Sequence, residues 1–406
     1  MIKRHIEGIC FDEIFGRQMR FITGPRQSGK TTIAKNVLSS FKLEKLYFNW
    51  DLKEIRQKYR EDPYFFETLL YDSKRDDQLP WVCLDEIHKV SKWKNILKDY
   101  FDKFESFCRF IITGSARLDW FKKSGDSLAG RYFLFKLFPL CLSEANNSPA
   151  VKTGADEDAG TFIEKKISTV KYEQALLDQL LNFSGFPEPF IKADSKFLYR
   201  WRRAMIERLI KEDIRDLTKI IEIENVETLI RLLPERIGSL LSVNALKEDI
   251  GISYTAVKNA ISAMRLTYII FLVPPYSDRI SRSIKKEKKC YFFDWTLCKD
   301  PAKKFENYVA LELKIMIELW NDEGISQFDL FFVRTKDGKE TDFLITRENI
   351  PWCFFEVKIK DSAIASHHYK HSELLGNIPV VQITYQDKVL KKKDNFYRIS
   401  ASRFFS

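Results

Sequence analysis

Short apolar runs recur through the first third of the chain, each closing on polar or glycine residues. MRFIT (19–23), KLYFNW (45–50), WVCLDE (81–86) and RFIITG (109–114) read as buried strands. A parallel strand covered by helices on both faces has no polar face to alternate with, so it appears as a nearly continuous hydrophobic run. Helix-like stretches lie between these runs, the first starting at about Lys30. Alternating strands and helices predict an α/β domain with a parallel sheet over residues 1–145.

Beyond residue 145 the pattern changes. NNSPAVKTGADEDAG (146–160) has no large apolar residue except Val151 and reads as an exposed linker. Residues 170–235 are helical in pattern, with FSGFPEPF (183–190) as a turn, so 146–235 is expected to be linker plus a helical lid or middle region. Residues 236–300 suggest a helix-turn-helix followed by strands. The last segment, 301–406, opens on a long amphipathic helix, FENYVALELKIMIELWN, and continues with strand patterns LFFVRT, ETDFLIT, WCFFEVKI and PVVQITY. No internal repeat is present. No apolar run reaches the roughly 18 residues of a membrane span, and Glu7, Asp12 and Glu13 stand where a secretion signal needs an apolar stretch.

A chain of 406 residues is long for one core and predicts two or three domains. Seven scattered cysteines without a CxxC pair suit a reducing, cytoplasmic setting and offer no zinc site. Cys83 and Cys353 fall inside strand-like runs, where a free thiol acts as a small hydrophobe. His367, His368 and His371 read as a solvated polar face rather than a metal site. The net charge of +10 matters only if it is concentrated, because an evenly spread excess speaks to solubility and a positive patch to nucleic acid.

Candidate chemistry begins at Gly24, Pro25, Arg26, Gln27, Ser28, Gly29, Lys30, Thr31 and Thr32. This run satisfies GxxxxGK[ST] at every fixed position, between a strand and a helix as the motif requires. Such a loop wraps backbone N–H groups around phosphates, and its glycines permit the turn and the close approach. Lys30 would contact the β- and γ-phosphates, Thr31 would ligate Mg²⁺, and the following helix would point its positive end at the anion. In WVCLDE, Asp85 is suited to hold Mg²⁺ and Glu86 to activate the attacking water. After RFIITG, Ser115 could sense the γ-phosphate, or be part of an ordinary Gly-Ser loop. Arg131 could serve as an arginine finger in cis or from a neighbouring subunit of a homo-oligomer, or be a surface salt-bridge arginine. No guanine-reading NKxD motif is present.

GPRQSGKTT, LDEIHK, ITGSAR and LAGRYFLFKLFPLCLSE resemble the AAA-superfamily ATP-binding proteins of a widespread prokaryotic family with a C-terminal domain of unknown function. FSGFPEP, RIGSLLSVNALKEDIGISYTAVKNAI and the ETDFLI…FEVK pair resemble that C-terminal part. The resemblance covers nearly the whole chain, specific in its N-terminal motifs and diffuse later. It implies an α/β P-loop NTPase core of AAA type that uses ATP with Mg²⁺. It further implies a helical middle, a winged helix, and a C-terminal α/β fold of the restriction-endonuclease, PD-(D/E)xK kind. It implies no substrate. Ala116 stands where a second serine would be expected after Ser115.

LSVNALKEDIGISYTAVKNAISAMRLTYII has a helix-turn-helix layout, with one helix over about 243–250, a turn at Gly251 and a cap at Ser253. In the second helix Val257, Ala260, Ile261 and Met264 share one face, and Thr255, Lys258, Asn259, Ser262 and Arg265 the other. That exposed face could enter a major groove. SDRISRSIKKEKK (277–289) has six basic against two acidic residues and could be a wing on the DNA backbone through Lys285, Lys286, Lys288 and Lys289. The alternatives are a protein-binding winged helix and a merely solvated lysine run.

In the terminal segment Asp342 is followed by Glu356-Val357-Lys358. Restriction-type nucleases hold Mg²⁺ between an acid on one strand and the acid of an acid-x-lysine on the next, with the lysine stabilising developing charge. Glu356 and Lys358 fall on one face of a strand. By the resemblance, a preceding helix supplies a further acid, for which Glu306 is favoured over Glu312. The competing reading keeps the fold without its chemistry. Three functions remain: an ATPase coupled to nucleic-acid binding or processing, a nucleotide-dependent switch for a protein partner with an inactive nuclease-like domain, and an assembling scaffold.

Overall fold

The computed structural model describes residues 2–74, 78–114, 128–150, 152, 157–168, 171–214, 223–277 and 287–406. Two compact units form. The N-terminal unit comprises Ile6–Phe138 with Leu266–Tyr268, and the second comprises Met1–His5, Pro139–Arg265 and Ile269–Ser406.

In the N-terminal unit, β1 (Met19–Thr23), β2 (Tyr47–Asn49), β3 (Trp81–Asp85), β4 (Arg109–Thr113) and β5 (Tyr132–Lys136) form a parallel sheet in the order β2-β3-β4-β1-β5. Every residue of β1 and β3 is buried, which is why these strands carry no alternation in the sequence. Helices Lys30–Ser40, Lys53–Glu61, Glu67–Asp72 and Trp93–Phe104 supply the crossovers. The strand order places β4 between β1 and β3. Thr113 therefore stands in register with Ile22 on one side and Asp85 on the other.

The second unit contains helices Gln174–Phe183, Pro187–Lys192, Ser195–Arg208, Ile223–Leu232, Val243–Ile250 and Tyr254–Leu266. An antiparallel pair follows, β6 (Ile270–Val273) with β7 (Lys289–Phe292). Helix Pro301–Glu323 then leads into β8 (Phe328–Arg334), β9 (Glu340–Arg347), β10 (Ile350–Lys358), β11 (Val380–Thr384), β12 (Leu390–Lys393) and β13 (Phe396–Ser400). These six make a mixed sheet in the order β12-β13-β11-β10-β9-β8. Helix Ser366–Leu374 connects β10 to its parallel neighbour β11.

The long helix is bounded by ordinary capping chemistry. The Asp300 carboxylate accepts from the Lys303 N–H at 2.9 Å, Pro301 occupies the first turn, and Gly324 ends it at φ 75°. Its Trp320 ring packs edge-to-face on Trp352 of β10. Within the helix, buried Asn307 donates to the Phe292 carbonyl at 2.7 Å and accepts from the Phe292 N–H at 2.8 Å. One amide thereby satisfies both backbone groups of a residue in β7.

Two expectations are corrected here. The exposed stretch expected over 146–160 is too long, because helix Ala159–Ser168 has already begun and Glu157 and Ala159 are buried. Its acidic composition hid a helix start whose inner face is Phe162 and Ile163. The histidines of helix Ser366–Leu374 are not a solvated face. His368 and His371 are 2% and 4% exposed, and both ring Nδ1 atoms contact the Thr341 hydroxyl, at 2.9 and 2.8 Å.

Asn307→Ala strands two buried backbone groups at about 1–3 kcal/mol each. It should lower stability in chemical denaturation by about 2 kcal/mol or more, and Asn307→Asp should not restore it, since a carboxylate cannot donate to the carbonyl.

Candidate functional site

The turn after β1 is shaped by close backbone approach. Gly24 has φ +136°, and a Cβ there would lie 2.1 Å from the Leu137 carbonyl oxygen, so no side chain fits. Gln27 and Gly29 also have positive φ. Runs of backbone that change handedness turn successive N–H groups inward, which is the geometry of an anion nest. Helix Lys30–Ser40 then starts from Gly29 with no side-chain cap, leaving its first-turn donors for an anion. Lys30 is buried, and its ammonium donates to the carbonyls of Gly24 at 3.0 Å and Pro25 at 2.5 Å. Pro25 and Ser28 are buried, Arg26 is half-buried, and Gln27 and Thr32 are exposed.

Asp85 closes the site. It ends β3, is 3% exposed, and accepts from the Thr31 hydroxyl at 3.0 Å. The hydroxyls of Tyr47 and Thr113 donate to the same carboxylate. Burial, then the bond to Asp85, pushes the Tyr47 hydroxyl well above the usual range for a phenol, so it stays a donor. Three strands and the helix therefore converge on one carboxylate. Tyr47 was missed in the sequence, where KLYFNW signals only a strand.

Glu86 follows with φ 59°, a costly conformation for a residue with a side chain. Its N–H donates to the Thr113 carbonyl at 2.9 Å. Its carboxylate lies 3.3 Å from the Lys89 ammonium. Burial raises the Glu86 pKa against the opposing effect of Lys89, and Asp85 adds to the rise. A carboxylate made more basic in this way suits proton abstraction near neutral pH.

Arg131 does not serve this site in cis. Its carbonyl pairs with the N–H of Met19, at the start of β1, whereas the phosphate loop follows the strand's far end. Five residues at about 3.3 Å each separate them by roughly 17 Å. The guanidinium instead bonds Asp102, Nε to Oδ1 at 2.8 Å. Ser115 lies outside the described residues.

In the second unit, Ser242 caps helix Val243–Ile250, Gly251 turns the chain at φ 73°, and Ser253 accepts from the Ala256 N–H at 3.1 Å. Helix Tyr254–Leu266 buries Val257, Ala260, Ile261 and Met264, while Lys258, Asn259, Ser262 and Arg265 are exposed. Lys258, Arg265 and Lys288 line one cleft of about 320 Å³, with Glu287 beside them. Burial and the nearby Arg265 hold the Lys288 ammonium below its ordinary range. Lys285 and Lys286 lie outside the described residues. Lys289 departs from the expected exposed contact: it begins β7, is 1% exposed, and points into a group of carboxylates.

That group is where the structure brings Asp342 (β9), Glu356 and Lys358 (β10) and Glu306 together. Lys289 Nζ lies 2.6 Å from Glu340, 3.4 Å from Asp342 and 3.6 Å from Glu306. Lys358 pairs with Glu356 at 2.5 Å, and His368 approaches the other Glu356 oxygen at 3.6 Å. Burial, with Glu306 and Glu356 nearby, pushes the Asp342 carboxyl well above the usual carboxylate range. Burial acts in the same sense on Glu356, but His368 and Lys358 outweigh it and hold that carboxyl low. Glu312 sits elsewhere, accepting from the Tyr308 hydroxyl and the Leu142 N–H.

Comparison with known proteins bears on the first of these sites. Residues 16–146 match the AAA domain family. The parallel sheet and phosphate loop of this segment agree with that match to AAA-type, nucleotide-binding P-loop domains. Residues 174–304 match a domain of unknown function, DUF8612. The chain is 21% identical over 345 residues to uncharacterized proteins Rv2008c of Mycobacterium tuberculosis and Mb2031c of Mycobacterium bovis, covering 83% of this chain and 69% of theirs. Among solved structures, the Aeropyrum pernix Orc1 protein in complex with DNA is 12% identical at a TM-score of 0.32, over 73% of this chain and 87% of that one. Cdc6p from Pyrobaculum aerophilum is 12% identical at 0.24, over 79% and 92%. Likenesses at such scores carry no functional weight. Among the described residues, no helix is long and apolar enough to cross a membrane.

Lys30→Ala should abolish nucleotide binding in a fluorescent-nucleotide titration. Glu86→Gln should bind normally and lose about 10²–10⁴-fold in turnover; turnover at the wild-type rate would contradict the assignment of Glu86 as base. Because Lys89 opposes the rise in the Glu86 pKa, and the base must be ionised, Lys89→Met should move the acid limb of the pH–rate profile to higher pH.

Proposed function

We propose that the chain is a Mg²⁺-dependent ATPase whose nucleotide state governs nucleic-acid binding by its second unit. The phosphate loop, with uncapped helix donors and Lys30, fits a triphosphate. Thr31 and Asp85, already 3.0 Å apart, fit the ligand pair for Mg²⁺, which would neutralise phosphate charge. Glu86 would accept the proton of the attacking water, and Asp85 would keep its orientation through Tyr47 and Thr113. Adenine follows from the AAA relationship and the lack of a guanine-reading motif.

The nucleic-acid reading rests on one observation, the convergence of Lys258, Arg265 and Lys288 on a single cleft with Glu287 as the acid in its lining. Like charges crowded in this way are relieved by an anion, and phosphate backbones supply regularly spaced ones. Two helices followed by the β6–β7 pair, with Leu240 bridging to Lys289, suit a winged helix, in which the cleft faces the duplex. The helix carrying Lys258 ends at Leu266, within the segment Leu266–Tyr268 that belongs to the N-terminal unit, so coupling has a covalent route. The apolar lining of Leu241, Ile261 and Leu272 favours a second reading, a nucleotide-switched protein partner. In a homo-oligomer, Arg131 would act on a neighbour's phosphates.

Fluorescence anisotropy with duplex DNA across a salt series tests the proposal. The slope of log K against log salt should fall by about 2–3 when Lys258, Arg265 and Lys288 are all changed to alanine, at about 0.9 per phosphate contact. No DNA binding by wild type at low salt would turn the reading to the protein partner.

A further inference from the structure

The fold that the chain resembles would place a divalent cation between Asp342 and Glu356. The residues present do not fit one. Each carboxylate of the cluster is already engaged by a donor of this chain. Glu340 pairs with Lys289 at 2.6 Å and with Arg334 at 3.4 Å. Asp342 gives one oxygen to Lys289 and the other to the Val357 N–H at 3.0 Å. Glu356 is taken by Lys358 and by the Asp342 N–H at 3.3 Å. Glu306 accepts from the Tyr291 hydroxyl at 2.8 Å and faces Lys289.

The charge balance points the same way. Lys289, Lys358 and Arg334 already stand against these acids, so the group lacks the unopposed negative charge that draws in a divalent ion. The oxygens also fail to converge. Among the described residues, the group of three potential ligands with all ligand atoms within 4.8 Å of one another is His5, Cys141 and Glu144, not these acids. Lys289 stands among three of them, Glu306, Glu340 and Asp342.

We infer that Lys289, set beside Asp342, Glu306 and Glu340, and Lys358, paired with Glu356, supply this cluster's positive charge in place of a divalent metal, so that the C-terminal sheet binds no catalytic metal and does not cleave phosphodiesters. A buried ammonium among acids is stable because it is fully paired, and removing it leaves buried charges uncompensated. Burial favours the neutral amine, but Asp342, Glu306 and Glu340 together outweigh this and keep the group charged. The strand register explains how one lysine pair serves two surfaces. Successive residues on an extended strand point to opposite sides, so Lys288 lines the basic cleft while Lys289 enters the acid cluster.

The test is Mn²⁺ titration of the nucleotide-free full chain, followed by electron paramagnetic resonance. Wild type and Asp342→Asn should bind Mn²⁺ to the same stoichiometry, which isolates this cluster from the Thr31–Asp85 pair. Lys289→Ala should gain an additional Mn²⁺ over wild type, with a rise in melting temperature on adding the ion, and Lys289→Ala/Asp342→Asn should lose both. A wild-type chain that binds more Mn²⁺ than Asp342→Asn overturns the inference. So does a folded Lys289→Ala chain that gains no ion. Should Lys289→Ala not fold, the comparison of wild type with Asp342→Asn decides alone.

Discussion

The nucleotide site depends on a single buried carboxylate. Asp85 is 3% exposed, and an ionised group so placed is tolerable only when its oxygens are bonded. Thr31, Tyr47 and Thr113 provide those bonds from a helix and two different strands. None of the three is near another in sequence. The β2-β3-β4-β1-β5 order sets Tyr47 and Thr113 on the strands flanking β3, and the turn at Gly24 starts the helix that brings Thr31 to it. A different strand order would leave Asp85 buried and unpaired, so the chemistry and the topology constrain each other.

This explains which parts of the site were legible in the sequence. Loop and helix start are one contiguous run, so the turn over Gly24–Thr31 could be located, and Asp85-Glu86 could be placed at the end of the apolar strand before them. Tyr47 could not, because its relation to Asp85 exists only once β2 lies beside β3. The limit on Arg131 has the same origin. Its place at the far end of β1 follows from the β5 register, which no local pattern encodes. In the second unit, the 3.6-residue period of 254–266 identified the buried and exposed faces correctly, since that helix has one side packed and one side free.

Lys289 shows where reading charge runs fails. In KKEKK, a lysine at the edge of a basic run reads as an exposed contact to a DNA backbone or as merely solvated, yet the residue begins a strand and is buried. The acids that justify its burial come from Glu306, Glu340 and Asp342, which only the folded unit brings close. His368 and His371 were misread for a related reason, since the partner that makes their burial acceptable is Thr341 on a separate strand. Polar burial is legible only when donor and acceptor are neighbours in sequence.

Under the proposed function, ATP turnover at Asp85 and Glu86 would answer to nucleic acid held at Lys258, Arg265 and Lys288. Steady-state ATP turnover with and without duplex DNA, in wild type and in the triple-alanine cleft variant, tests it most directly. The account predicts that DNA changes the wild-type rate and leaves the variant at its DNA-free rate. A wild-type rate identical with and without DNA, under salt conditions where binding is saturated, would contradict it.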